Sequence, residues 1–143
     1  GENLFIKHNI YYQNLKSYFY VHSIWDENNI CLSWNDTVNF CIENGFVYVP
    51  VLYIGKWDEK IINNLKHLQK YNEDKVEGFV LRIFDKIPFS EYNNYVCKFV
   101  KKEFTSKINE TNKHWTEQKP IKNIMKKREI NDISYLSYIY KTR

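Results

Sequence analysis

Apolar and polar positions change period several times along this chain, and each change marks a predicted element. Residues 3–6 read as a short strand that stops near Lys7-His8. Tyr18 to Trp25 is aromatic and rich in β-formers, which predicts a strand. The polar cluster Asp26-Glu27-Asn28-Asn29 predicts a turn after it. Ile30 to Ser33 then predicts the returning strand of a hairpin. Helical spacing takes over at Val38, Cys41 and Ile42, with Ser33 or Asn35 available as N-cap and Gly45 where a terminating glycine belongs. Phe46 to Ile54 is almost continuously apolar with Pro50 inside it, the pattern of a buried or edge strand bounded by Gly55. Asp58 is placed to cap a second helix whose Ile61, Ile62, Leu65 and Leu68 form one stripe. Phe79 to Phe84 and Tyr95 to Val100 predict two further strands. Beyond Lys102 the periodicity weakens: His114-Trp115 to Pro120 reads as loop, and 121–143 predict a helix. Strands and helices mix without regular β-α-β alternation, so the predicted class is α+β, with mixed or antiparallel sheets and flanking helices.

Composition narrows this picture in three respects. At 143 residues with 43% hydrophobic content, the chain has the size and apolar material for one folded domain. Aromatic residues reach 17% while only four glycines occur, which favours aromatic strands over a glycine-rich phosphate loop. Cys31, Cys41 and Cys97 are far apart and unpaired in sequence, arguing against a disulfide scaffold or zinc site and for an intracellular protein, cytoplasmic or nuclear. The longest apolar stretches are too short for a membrane span.

Charge is unevenly distributed. Residues 1–100 hold ten Lys or Arg against twelve acids, a net of −2, whereas residues 101–143 hold eleven against five, a net of +6. A basic C-terminal third suits an anionic partner such as RNA, whose counterions lysines release on binding. The plainer reading is a solvated lysine-rich surface.

The chemistry is carried by short motifs in a fixed order. Gly1-Glu2 precedes a strand. The aromatic strand Tyr18-Phe19-Tyr20-Val21-His22-Ser23-Ile24-Trp25-Asp26 follows. Then come Glu77-Gly78-Phe79-Val80-Leu81-Arg82 and, about twenty residues on, Lys98-Phe99-Val100-Lys101-Lys102. Each is weak alone, and the ordered set is far more specific. It resembles the covalent nucleotidyltransferase superfamily of ATP-dependent RNA ligases, DNA ligases and mRNA capping enzymes, with the RNA ligase branch the nearest. Gly1-Glu2 resembles that family's G-E motif, the aromatic strand its Y-x-x-F-D-I motif, Glu77-Gly78-Phe79-Val80 its E-G-x-V motif, and Lys98 with Lys101 its terminal lysine motif. Lys7-His8-Asn9-Ile10-Tyr11-Tyr12 and Thr111-Asn112-Lys113-His114-Trp115 resemble signatures of one RNA ligase subgroup.

The resemblance implies a ligase-like nucleotidyltransferase (ATP-grasp-like) domain. In such an enzyme a lysine attacks the α-phosphate of ATP, and the AMP passes to an RNA 5′-phosphate. A 3′-hydroxyl then displaces it, sealing the RNA ends. Such transfers depend on positioning and charge neutralisation. By resemblance, Lys98 contacts the α-phosphate with Lys101 second, and Glu77 holds Mg²⁺ or Mn²⁺ or its waters. Glu2 would accept hydrogen bonds from the ribose hydroxyls of ATP or AMP, and His22 would stack on the adenine. His22 stands where the family has phenylalanine, Ser23 where it has aspartate, and the lysine spacing is K-x-x-K rather than K-x-K. Each residue also has a structural reading: Glu77 as a turn residue, Lys98 as a solvent-facing strand position, His22 as a packed imidazole. Arg82 is a candidate for phosphate or a carboxylate, and His114 and Trp115 are candidates for RNA stacking or core closure. Trp25, Trp34 and Trp57 are assigned to packing.

The superfamily's lysine-bearing K-x-D-G motif does not occur in these 143 residues. Lys56-Trp57-Asp58-Glu59 lacks the glycine and follows the G-E motif instead of preceding it. The resemblance therefore implies that residues 1–125 are the C-terminal portion of an adenylation domain, followed by a 126–143 tail, with the lysine segment encoded upstream or supplied in trans. Such a chain alone would not self-adenylate, and its apolar sheet edge would need covering. Two other readings remain: a non-catalytic RNA-binding module, and a capping-type guanylyltransferase that prefers GTP.

Overall fold

In the computed structural model, which describes residues 1–71, 74–105 and 119–126, the best-formed ladder is the antiparallel pair β7 (Gly78–Arg82) and β9 (Val96–Val100). Its register sets Phe79 opposite Phe99 and Val80 opposite Lys98. Strand alternation then puts the two phenylalanines on one face, their rings 5.1 Å apart, and Val80 with Lys98 on the other. Gly78 is required by this pairing: a Cβ there would stand 1.9 Å from the Phe99 carbonyl oxygen. The glycine of the E-G-x-V motif thus permits close backbone approach.

A second sheet has three strands in the order β1 (Glu2–Asn3), β2 (Phe19–Val21), β4 (Val47–Tyr48). β1 runs antiparallel to β2, with Glu2 opposite Tyr20, and β4 runs parallel to β2. The parallel pairing needs a crossover, which α1 (Trp34–Asn44) supplies. Ser33 caps α1 by accepting from the Asp36 amide, and Gly45 ends it in the left-handed region at φ 70°. Asp58 caps α2 (Glu59–Lys66), accepting from the amides of Lys60 and Ile61. Two-residue pairs complete the sheets: β3 (Ile30–Cys31) with β8 (Ile87–Pro88), and β5 (Lys70–Tyr71) with β6 (Asp74–Lys75). A 3₁₀ turn at Phe89–Glu91 leads into α3 (Tyr92–Tyr95), and α4 (Lys102–Thr105) follows β9. The class is α+β, with small, mostly antiparallel sheets and a few helices. Among the described residues no helix is long and apolar enough to cross a membrane.

Several predicted elements change length or partner. The hairpin turn forms, with Asp26 Oδ1 accepting from the amides of Asn28 and Ile30, but only Trp25 and Cys31 bridge across it. β3 takes β8 as its ladder partner. The 46–54 run contributes only Val47–Tyr48 to a strand, and Val51, Tyr53 and Ile54 are exposed. Trp25 packs on Phe89 and Tyr92, and Trp34 on Tyr48, whereas Trp57, assigned to packing, is 73% exposed. It precedes the α2 cap, where no described element covers it. The helix predicted over 121–143 does not begin at 121. Residues 121–126 are extended because their backbone groups pair elsewhere: Ile6 bridges Lys122, Leu15 bridges Met125, and the Lys7 amide donates to the Ile121 carbonyl. The remainder of that prediction, and the Thr111–Trp115 signature with His114 and Trp115, lie outside the described residues.

Asn123 is the centre of this stitching and only 1% exposed. Its Nδ2 donates to the Leu4 carbonyl (2.9 Å), its Oδ1 accepts from the Tyr12 amide (2.9 Å), and its own amide donates to the Phe5 carbonyl (3.0 Å). The Tyr18 hydroxyl donates to its carbonyl at 3.3 Å. Buried polar groups persist only when satisfied in this way. The result is a hydrogen-bonded backing for residues 4–18.

Candidate nucleotide-binding site

Three motifs far apart in sequence meet at the segment that follows β1. Glu77, half-buried just before β7, accepts a hydrogen bond at Oε1 from Asn9 Nδ2 (3.0 Å). Glu2, on exposed β1, lies 3.7 Å through Oε1 from His8 Nδ1. Adjacent residues His8 and Asn9 thus reach one carboxylate each. The same segment carries the Tyr12 phenol, whose pKa is pushed up to about 12 by burial first and then by the negative field of Glu77, Asp74 and Glu2, with Tyr20 of β2 adding. The His8–Glu2 and Asn9–Glu77 contacts, with Glu2 paired opposite Tyr20, bring the G-E strand, the aromatic strand and the start of the E-G-x-V strand to one short segment, and the Tyr12 phenol feels all three carboxylates.

His22 follows β2 on the same sheet and is exposed. Partial burial lowers its pKa below the usual 6.5, and Glu2 opposes that. A neutral imidazole near pH 7 offers an uncharged ring face.

The basic candidates are arranged differently. Lys98 is exposed on β9 opposite Val80 and makes no hydrogen bond or ion pair to a described residue. Lys101 is 6% exposed: its amide donates to the Glu77 carbonyl (2.9 Å), and its Nζ donates to the Leu68 carbonyl beyond α2. Lys101 therefore ties the end of β9 both to the Glu77 backbone and to the end of α2. Lys101 is thus buried with one of its three N–H donors engaged, whereas Lys98 is open to solvent. Arg82, the other cationic candidate, spends its guanidinium on the carbonyls of Leu32, Ile83 and Asp85, with Cys31 Sγ at 3.5 Å. It holds a loop junction together. An open apolar groove of about 260 Å³, lined by Trp34, Val38, Tyr48, Val51 and Phe84 among others, contains none of these polar residues.

The structure thus brings Glu2 and Glu77 to one surface with β2 and His22 alongside. Lys98 stands three positions along β9 from the Glu77–Lys101 pairing. Sequence reasoning gave no role to His8, Asn9, Tyr12 or Asn123. The first three lay inside a recognised signature segment. Asn123 carried no signal, because its importance comes wholly from partners more than a hundred residues away.

Taken together, the elements define a mixed α+β protein whose separate acidic motifs gather beside a three-stranded sheet. Among known families, the RNA ligase family matches residues 1–100. That is well over half of the chain, and the chain belongs to the RNA ligase family. No curated protein and no solved structure matches it.

Proposed function

We propose that this chain is part of the adenylation domain of an ATP-dependent RNA ligase, with residues 1–125 as its C-terminal portion in a nucleotidyltransferase fold. The observation that supports it most is the convergence of Glu2, Glu77 and the β2 strand on Tyr12, three motifs of one family on one surface. In the proposed reaction, AMP carried on a lysine passes to an RNA 5′-phosphate, and the lysine nitrogen leaves. The RNA 3′-hydroxyl then attacks that phosphate, loses its proton and displaces AMP. The exposed Lys98 ammonium neutralises the α-phosphate, Glu2 accepts from the ribose hydroxyls, and the neutral His22 ring stacks on the base. The second lysine contact falls to Lys101 or to Lys102.

A divalent cation such as Mg²⁺ takes one or two carboxylates, retains waters and binds phosphate oxygens. The described residues suit that arrangement and not an all-protein cage. No group of three or more His, Cys, Asp or Glu side chains among them could hold a metal ion, while Glu77 offers a half-buried carboxylate already held at one oxygen. When bound, the cation supplies charge neutralisation at the phosphate.

Because K-x-D-G is absent from these residues, the chain itself does not take up AMP covalently. Calorimetric titration with AMP, ATP and GTP, each with Mg²⁺, tests the reading. Adenine nucleotides should bind at least tenfold more tightly than GTP, and Glu2→Ala should weaken them. GTP preference would favour the guanylyltransferase reading. Salt-sensitive RNA binding with no nucleotide binding at all would replace both with an RNA-binding module.

A further inference from the structure

We infer that Asn9 is a positioning residue that orients the Glu77 carboxylate for its divalent cation, and that the 121–124 segment holds Asn9 in place to do so. The inference rests on the proposed role of Glu77 as the metal carboxylate. A free glutamate samples several rotamers, and ordering it on binding opposes affinity. Here Glu77 Oε1 already accepts from the exposed Asn9 Nδ2 at 3.0 Å, which restricts the directions the carboxylate can take. Charge-neutral amides are suited to this, since they donate without cancelling the negative charge a cation requires.

Asn9 is presented from a braced segment. On one side of it the Lys7 amide donates to the Ile121 carbonyl at 2.7 Å. On the other, the Tyr12 amide donates to Asn123 Oδ1 and the Tyr12 carbonyl accepts from the Ile124 amide, both at 2.9 Å. The bond is therefore made between two supported groups. The backbone of Glu77 is tied by Lys101, just past the end of β9, and that of Asn9 is flanked by ties to the 121–124 segment. His8 repeats the arrangement next door, with Nδ1 3.7 Å from Glu2 Oε1.

The test measures Mn²⁺ affinity by electron paramagnetic resonance in the presence of saturating AMP, for the unaltered chain, Asn9→Leu, Asn9→Ala and Glu77→Gln. Asn9→Leu keeps the branched shape and removes the donor. Metal-free AMP affinity and the thermal midpoint are recorded for each. The expected result is Mn²⁺ binding weakened roughly tenfold or more in both Asn9 variants, as for other residues that hold a metal ligand, with metal-free AMP affinity and midpoint unchanged. A purely structural role would instead lower the midpoint and weaken AMP without metal. Mn²⁺ affinity unchanged in both Asn9 variants but lost in Glu77→Gln overturns the positioning role while leaving the metal role of Glu77 standing. Mn²⁺ affinity unaffected by Glu77→Gln overturns the metal role itself, and the inference with it.

Discussion

Asn123 shows how much one side chain can fix. Replacing it with alanine leaves the Tyr12 amide and the Leu4 carbonyl without their partners at a site from which water is excluded. Unmade bonds of this kind cost about 1–3 kcal/mol each, so Asn123→Ala should destabilise the protein by roughly 2–4 kcal/mol in urea unfolding. Tyr12 makes a prediction of a different type. Its folded pKa lies above that of a free tyrosine, so the folded state retains the phenolic proton where the unfolded chain releases it. The stabilisation is complete below pH 10 and is lost as pH rises from about 10 to 12. Ultraviolet difference titration of the protein against Tyr12→Phe should show one phenol ionising near 12. The variant's stability should also fall less steeply above pH 10. His22 runs the other way: its lowered pKa favours the neutral ring in the fold, a contribution lost as pH falls below 6.5.

Among the elements, caps and turns were the most legible in the sequence. Ser33, Gly45 and Asp58 have roles set by local backbone geometry, and each occupies the predicted position. Asp58→Ala should cost about 1 kcal/mol, read as a lower urea midpoint with unchanged slope. Strand lengths were far less legible. Phe46 to Ile54 has the composition of a long strand, yet β2 offers a parallel partner only to Val47 and Tyr48. Gly78 carried a motif but no visible reason, and the reason is the Phe99 carbonyl of the neighbouring strand. Gly78→Ala should force β7 and β9 apart at a cost of about 1–3 kcal/mol or more. The loss should appear as faster amide exchange across that ladder.

For the whole molecule, the opposition between a −2 segment and a +6 C-terminal third becomes a question of partner. If RNA phosphates contact three to six of those cations, log affinity should fall against log salt with a slope of roughly −2 to −4. Filter binding across a salt series measures it, and a flat dependence would remove the basic third from the RNA surface. Exposed Phe40, Ile42, Phe46 and Ile54 also leave the α1–β4 side rich in apolar surface.

The sequence by itself determined what depends on neighbours in the chain: the helix caps, the turn at Asp26, the α+β class, and the ordered motifs that mark an RNA ligase family member. Short-range geometry leaves a local record, so these could be read directly. Only the tertiary structure decided that Glu2 and Glu77 share a surface, that Lys101 and Arg82 are turned onto backbone carbonyls, and that residues 121–126 form an extended brace. Each of these depends on which distant carbonyl or carboxylate lies within 3 Å or so, a hydrogen-bond distance, and no pattern along the chain encodes that partner.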